Sequence, residues 1–411
     1  MRSIPDDVLT EVFQHCVASR SHDSLDLRNP PWTLSYVSRR WRDLSTFPFH
    51  FCDFGQLSVD FRKYEALSTR TILTRVALIP ERSMNMDLSV MLLSQRTISD
   101  HPAFVLLDLS ARRWRRFSVS VLRLCLQALP GASFTRICEL SVSRPNGDAV
   151  VAPVTTFRTA SFVRSVVILS DETSNSLPLP SSTIETYVCT SFTRGDWDYL
   201  KNLTALKSLK LQGRSKRAAF NLSELPQITL PTVTSLRVIE ESDSDAGIAA
   251  KLFQTNSLVL PSLSTLGIHF HFLYDSTPSF PPSQLLKSLT TLISQNAMHR
   301  AANTGPALRF LDIMAHVKKL VIDGRCGNEL FQGLTVRPGK DVILPNLLVL
   351  QLLGHRRCFP DPVFLDFLES QCRQDCDVGG LGAVNEEHHN ASQSRPVFLE
   401  EIDLSEVQLV P

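Results

Sequence analysis

The sequence predicts an α/β protein: a short N-terminal helical module, then an irregular solenoid of strand–helix or strand–loop units of about 20–30 residues. Three observations carry that expectation. Residues 1–50 hold two stretches of helical apolar periodicity around a polar, proline-containing loop. Beyond them, short apolar segments with strand alternation recur along the chain. Three of these share a motif, "LPTVTSLRV", "LPSLSTLGI" and "LPNLLVLQL", beginning at Leu230, Leu260 and Leu344.

The first helix is read from "IPDDVLTEVFQHCV". Pro5 suits a first turn, and Asp6, Asp7 and Glu11 favour the positive end of the helix dipole. Val8, Leu9, Val12, Phe13, Cys16 and Val17 then form an apolar stripe at steps of one, three and four. A polar loop with a double proline follows. A second helix is expected from Trp32, carrying Leu34, Val37, Trp41 and Leu44 and stopped at Pro48.

The solenoid follows from the repeat. Each copy has an apolar residue three after the leucine (Val233, Leu263, Leu347), Leu at the sixth step (Leu236, Leu266, Leu350) and an aliphatic at the eighth (Val238, Ile268, Leu352). The starts lie 30 and 84 residues apart, and 84 is three steps of 28. Weaker copies end at Leu209 and Leu211, Leu320 and Ile322, and Ile402 and Leu404. Further back come the pairs Leu140 and Val142, Val166 and Ile168, and Thr186 and Val188. "RRFSVS" and "FVLLDLS" open the series. "DLSVMLLSQRTI", "VSVLRLCLQAL", "PSQLLKSLTTLISQ" and "DPVFLDFLESQC" read as intervening helices. Alternating strand and helix is the leucine-rich-repeat plan. The expected division is a helical module at 1–50, a helical connection to the solenoid at 51–100, and the solenoid at 101–411. Polar loops interrupt the solenoid at 241–247 and 373–395, the second expected to be mobile.

Composition narrows the function. With 411 residues, 43% hydrophobic and 20% charged, the chain can bury a large core and is not broadly disordered. The net charge of +1 gives no whole-chain field toward nucleic acid or anionic lipid, so both are disfavoured as partners. Nine cysteines, scattered apart from Cys372 and Cys376, suggest a reducing compartment. Acidic residues interrupt the N-terminus where a signal peptide needs an apolar run, and no stretch reaches the ~18 apolar residues of a spanning helix. An intracellular protein, cytoplasmic or nuclear or both, is expected. Asn202, Asn221 and Asn390 open glycosylation triplets that read as chance.

No catalytic signature survives, and no enzyme or cofactor is expected. "GASFT" at 131 lacks the closing glycine of a nucleophile elbow. "GGLGAVN" has Asn385 where a dinucleotide loop wants glycine, in a polar loop rather than after a strand. Cys372, Cys376, His388 and His389 approach zinc-finger spacing, but adjacent histidines do not close a tetrahedron easily, so no metal is expected. "RRWRR" at 112–116 combines four arginines with Trp114, a charge-and-stacking pair of the kind nucleic acid uses. The plainer reading packs Trp114 beneath a strand with solvated arginines, because no second basic cluster follows.

The N-terminal block nevertheless resembles a known module. "IPDDVLTEVFQHC", the loop, and "WTLSYVSRRWRDL" resemble the F-box, whose pattern opens Leu-Pro-x-Glu/Asp-x-Leu-x-x-Ile-Phe and closes Val-Cys-Arg-x-Trp-Arg-x-Leu. Ile4 and Pro5 match the opening, Leu9, Val12 and Phe13 the first helix, and Val37, Arg39, Trp41, Arg42 and Leu44 the close. Ser38 replaces the frequent cysteine, and the loop is longer than in animal and yeast forms. Its "DL…PWTL" ending is similar to the F-box-like proteins of mushroom-forming fungi, as are "RRWRRFSV" and the Leu-Pro-x-Leu strands. The resemblance implies a non-catalytic bridge. The F-box docks on a Skp-type adaptor, and through it a cullin scaffold of an SCF-type ubiquitin ligase, while the repeats hold a protein target. It places adaptor docking on Ile4, Pro5, Val8, Leu9, Val12, Phe13, Trp32, Leu34, Val37, Trp41 and Leu44. Which tryptophan faces the partner stays open. On the solenoid, outward strand positions, Lys210, Arg237, Gly267, Gln351 and Asp403, are candidates for the target-facing surface, with a plain solvated face as the competing reading. An interaction scaffold whose F-box-like region is only a cap is the alternative function.

Overall fold

The computed structural model describes residues 4–18, 26, 28, 32–46, 56–63, 69–82, 87–129, 134–143, 155–169, 177–190, 194–213, 226–240, 257–269, 288–295, 301–323, 328–337, 341–353, 361–372 and 399–403. The chain is mixed α/β and divides into two compact units, Met1–Ala205 and Leu206–Pro411.

The first unit opens with three helices, α1 (Asp6–Ala18), α2 (Trp32–Val37) and α3 (Arg39–Thr46). The single helix expected from Trp32 to Pro48 is thus two. The break falls at Ser38, whose hydroxyl accepts a hydrogen bond from the Trp41 backbone N–H at 3.1 Å and so caps the start of α3. Six strands follow: β1 (Gln56–Asp60), β2 (Leu88–Leu93), β3 (Trp114–Ser120), β4 (Glu139–Ser143), β5 (Ser165–Ile168) and β6 (Thr186–Cys189). Each pairs in parallel with the next in chain order. Four helices lie between or after them, α4 (Thr69–Arg82), α5 (Pro102–Leu109), α6 (Arg123–Ala128) and α7 (Arg194–Leu200).

This arrangement corrects three expectations. Residues 51–100 are not a helical connection, since β1 and β2 already belong to the sheet. "LSVMLL", expected as helix, is strand β2, with Leu88, Val90 and Leu92 buried in alternation. Its apolar run fits either periodicity, and parallel neighbours on both sides decide for strand. "FVLLDLS", expected as strand, lies in α5. There Pro102 stands in the first turn and His101 Nδ1 accepts from the Ala103 N–H at 3.1 Å, a cap that outweighs the local apolar run.

Among its described residues the second unit has seven parallel strands in the order β7 (Ser208–Gly213), β9 (Ser235–Glu240), β11 (Thr265–His269), β12 (Thr291–Gln295), β13 (Lys319–Asp323), β14 (Val349–Leu353) and β15 (Glu401–Asp403). Two short strands, β8 (Ile228–Thr229) and β10 (Leu258–Val259), pair with each other apart from these. Helices α8 (Ala301–Asp312), α9 (Asn328–Leu334) and α10 (Asp361–Cys372) complete it. "PSQLLKSLTTLISQ", expected as helix, ends in β12; "DPVFLDFLESQC" is α10 as expected. The loops at 241–247 and 373–395 lie outside the described residues.

The Leu-Pro repeat has a definite local cause. Leu230, Leu260 and Leu344 are buried, and their carbonyls accept from the N–H groups of Val233, Leu263 and Leu347, a turn that drives both apolar ends inward. The chain then enters its strand. The carbonyl before each strand accepts two successive N–H groups of the next repeat: Lys207 from Thr234 and Ser235, Thr234 from Ser264 and Thr265, Ser264 from Thr290 and Thr291. Ala160 with Val163 and Met314 with Val317 form the same turn without Leu-Pro. Inward strand residues then make the core of each unit. In the first unit an aromatic layer of Trp114, Phe117, Phe134 and Phe157 dominates, with neighbouring ring centroids 4.7–6.1 Å apart. Among the described residues no helix is long and apolar enough to cross a membrane.

Candidate interaction surfaces

The helical module sorts the eleven docking candidates into two groups. Leu9 and Phe13 are buried and packed by Leu34, Trp41 and Leu44, forming the module's own core. Trp41 meets Phe13 edge-on at a centroid distance of 4.8 Å. Trp32 is also buried, lining a cleft with Arg42 and with Arg70, Thr74 and Leu78 of α4. Leu9, Phe13 and Trp32 are thus buried, whereas Leu34, Trp41 and Leu44 are partly buried against that core, as expected when a helix pair buries one face. Val8 and Val12, one turn apart on α1, are 44% and 48% exposed, and Ile4 and Pro5, just before the helix, are exposed too, Ile4 at 54%. On α2, Val37 and the unanticipated Tyr36 are 59% and 62% exposed. Trp32 is buried and Trp41 partly buried, whereas Tyr36 and Val37 are more exposed than either tryptophan.

The arginines of this region are mostly architectural. Arg40 donates to the Asp6 carboxylate and the Ile4 carbonyl, tying α3 to the start of α1. Arg42 donates to the Ser35 carbonyl at 3.1 Å. In "RRWRR", Trp114 is fully buried and donates its indole N–H to Ser110 at 2.9 Å, so it is no stacking platform. Arg115 and Arg136 share Asp87 at 3.3 and 2.9 Å. No group of three metal-ligating side chains occurs among the described residues, and Cys376, His388 and His389 lie outside them.

On the sheet of the first unit, alternation sends Leu57, Val90, Phe117, Leu140 and Val166 inward and their neighbours outward. The outward ladder reads Ser58, Met91, Ser118, Ser141, Val167, Val188, with Ser89, Arg116, Glu139 and Ser165 in the row before it. These small side chains leave a trough of about 260 Å³ across β1–β5, floored by Ser58, Ser89, Ser118, Ser141 and Ser165. Arg116 and Glu139, neighbours on β3 and β4, pair at 3.5 Å along its lining, both more than half exposed. At the end of β1, Asp60 accepts two hydrogen bonds from Arg62, which hold its carboxyl below the usual range.

The second unit's outward ladder is built differently. It runs Lys210, Arg237, Gly267, Ile293, Val321, Gln351, Asp403. The Arg237 side chain lies over Gly267, where a Cβ would stand 2.7 Å from its Cγ. Gln351 donates to Asp403 at 2.8 Å. Lys210, Arg237, Gln351 and Asp403 share one row, in which Arg237 covers Gly267 and Gln351 is bonded to Asp403.

The serine trough was missed by reasoning from Leu-Pro repeats, which lie in the second unit. Its signal was present as another repeat: Leu-Ser-Val at 57–59, 88–90 and 140–142, and Phe-Ser-Val at 117–119.

No protein-family model matches this chain, and no curated relative matches it. Among solved structures, a chain in the crystal structure of the Rad7 and Elc1 complex in yeast aligns with 14% identity and a TM-score of 0.34, over 88% of this chain and 86% of that one. A likeness of that size carries no argument about function.

Proposed function

We propose that this protein is a non-catalytic, intracellular bridge: an F-box-like module that docks a Skp-type adaptor, followed by a leucine-rich-repeat-like solenoid that holds a protein target for an SCF-type cullin ubiquitin ligase. The observation that carries this reading is the exposed apolar stripe Ile4, Val8 and Val12, left outside a module whose core is already closed by Leu9, Phe13, Leu34, Trp41 and Leu44. Isolated exposed aliphatics are ordinary, but three spaced four apart, with Tyr36 and Val37 exposed on α2 of the same module, supply the apolar anchors an interface needs. The fold supplies the other half, a parallel sheet whose outward rows are largely outside the core, Val321 excepted.

Co-purification of a Skp-type adaptor with the full chain tests it. Wild type retains the adaptor and a Val8→Asp, Val12→Asp double variant, altered only at exposed positions, loses it. A folded wild type that binds no such adaptor overturns the ligase reading and leaves a capped interaction scaffold.

A further inference from the structure

The serine trough of the first unit has a chemistry of its own. We propose that it holds an extended, acidic segment of a protein target lying across strands β1–β5; this rests on reading the sheet as the target-holding surface. Four of its five floor serines, Ser89, Ser118, Ser141 and Ser165, make no side-chain hydrogen bond among the described residues. A hydroxyl both donates and accepts, so the row can serve the backbone N–H and C=O groups that an extended chain leaves unpaired. Five strands spaced by about 4.8 Å span roughly 19 Å, the length of about six extended residues.

The charge at one end of the trough selects the sign of that segment. Of the charged groups, Arg116 and Glu139 line the trough itself, while Asp87, Arg115, Arg136 and Arg164 stand at or just before the starts of β2–β5, flanking it with more guanidiniums than carboxylates. Asp87 is shared by Arg115 and Arg136, and Arg116 makes only a long, exposed pair with Glu139. Arg164 has no ion pair among the described residues and adjoins Ser165 of the floor. The guanidinium excess matches carboxylates, whose planar geometry it accepts in pairs. Nucleic acid fits less well, because the only aromatic ring of the lining, Phe117, is buried beneath the floor and gives bases nothing to stack on.

Fluorescence anisotropy with the full chain and a short fluorescein-labelled peptide of alternating Glu and Ala provides the test. Binding that weakens with added salt is expected, together with at least a roughly ten-fold loss in an Arg116→Glu, Arg164→Glu variant. Ser118→Trp with Ser141→Trp fills the trough and abolishes binding. Glu139→Gln, a conservative exposed change, tightens it by freeing Arg116, which a purely structural role for the pair does not predict. Absence of peptide binding, equal binding of a Lys and Ala peptide, an affinity untouched by these variants, or displacement of the peptide by a more tightly bound oligo-dT each overturns the proposal. Adaptor co-purification separates the two readings: an adaptor retained without peptide binding sinks only the trough, and peptide binding without adaptor sinks only the bridge.

Discussion

The two units apply one strand plan to opposite ends. In both, alternate residues enter the core and the rest form an outward row. In the first unit that row is serine with Met91 and Val167 at intervals, and it leaves a trough. In the second, Arg237 lies over Gly267 and Gln351 closes on Asp403, so the row occupies its own surface. Inward positions therefore specify the fold, whereas the size of the outward side chains decides whether a sheet face is a receptacle or a lid.

The largest effect should come from the layer that keeps the trough floor in place. Trp114→Ala removes the largest ring of the aromatic cluster and is expected to cost about 3–5 kcal/mol, read as a lowered urea midpoint of the first unit. The comparison itself is sharpened by equivalent outward changes. Gly267→Val must displace Arg237 and should destabilise by about 1–3 kcal/mol, whereas Ser118→Val, on the open floor, should stay within ~0.5 kcal/mol. Equal costs would mean that the two faces are packed alike.

A pH dependence follows from Asp108 on α5. Burial raises its carboxyl from 3.8 to about 6, and Oδ1 has no hydrogen-bond partner among the described residues. The native state thus holds a proton that the unfolded chain releases first. Stability from this group is highest below pH about 4 and falls as pH rises to about 6, beyond which it is constant. Asp108→Asn should therefore raise the melting temperature at pH 7 and change it little near pH 4; the reverse order would contradict the assignment. The smallest effect belongs to the second unit's outward row, where Gln351→Ala removes one bond to Asp403 and should cost less than about 1 kcal/mol by the same unfolding assay.

Much of this architecture was legible because the inward pattern repeats. Leu236 and Val238, Leu266 and Ile268, and Leu350 and Leu352 are strand residues in matched register, as their spacing implied. Misreadings occurred where an apolar run satisfied two periodicities. "LSVMLL" became a strand through its neighbours in the sheet, and "FVLLDL" a helix through its His101 cap and Pro102. The helical module was legible as helices but not as surfaces. Val8 and Leu9 differ by one position on α1, and only packing against α2 and α3 decides that Leu9 turns inward and Val8 outward. The trough was least legible, since its floor arises from serines brought side by side by a register that no single segment encodes.

The most direct test of the bridge is a hydrogen-exchange footprint of the full chain with and without a Skp-type adaptor. The account predicts added protection on α1 around Val8 and Val12 and on α2 around Tyr36, with the strands of both units unchanged. Protection on the sheet instead, or on neither, would contradict it.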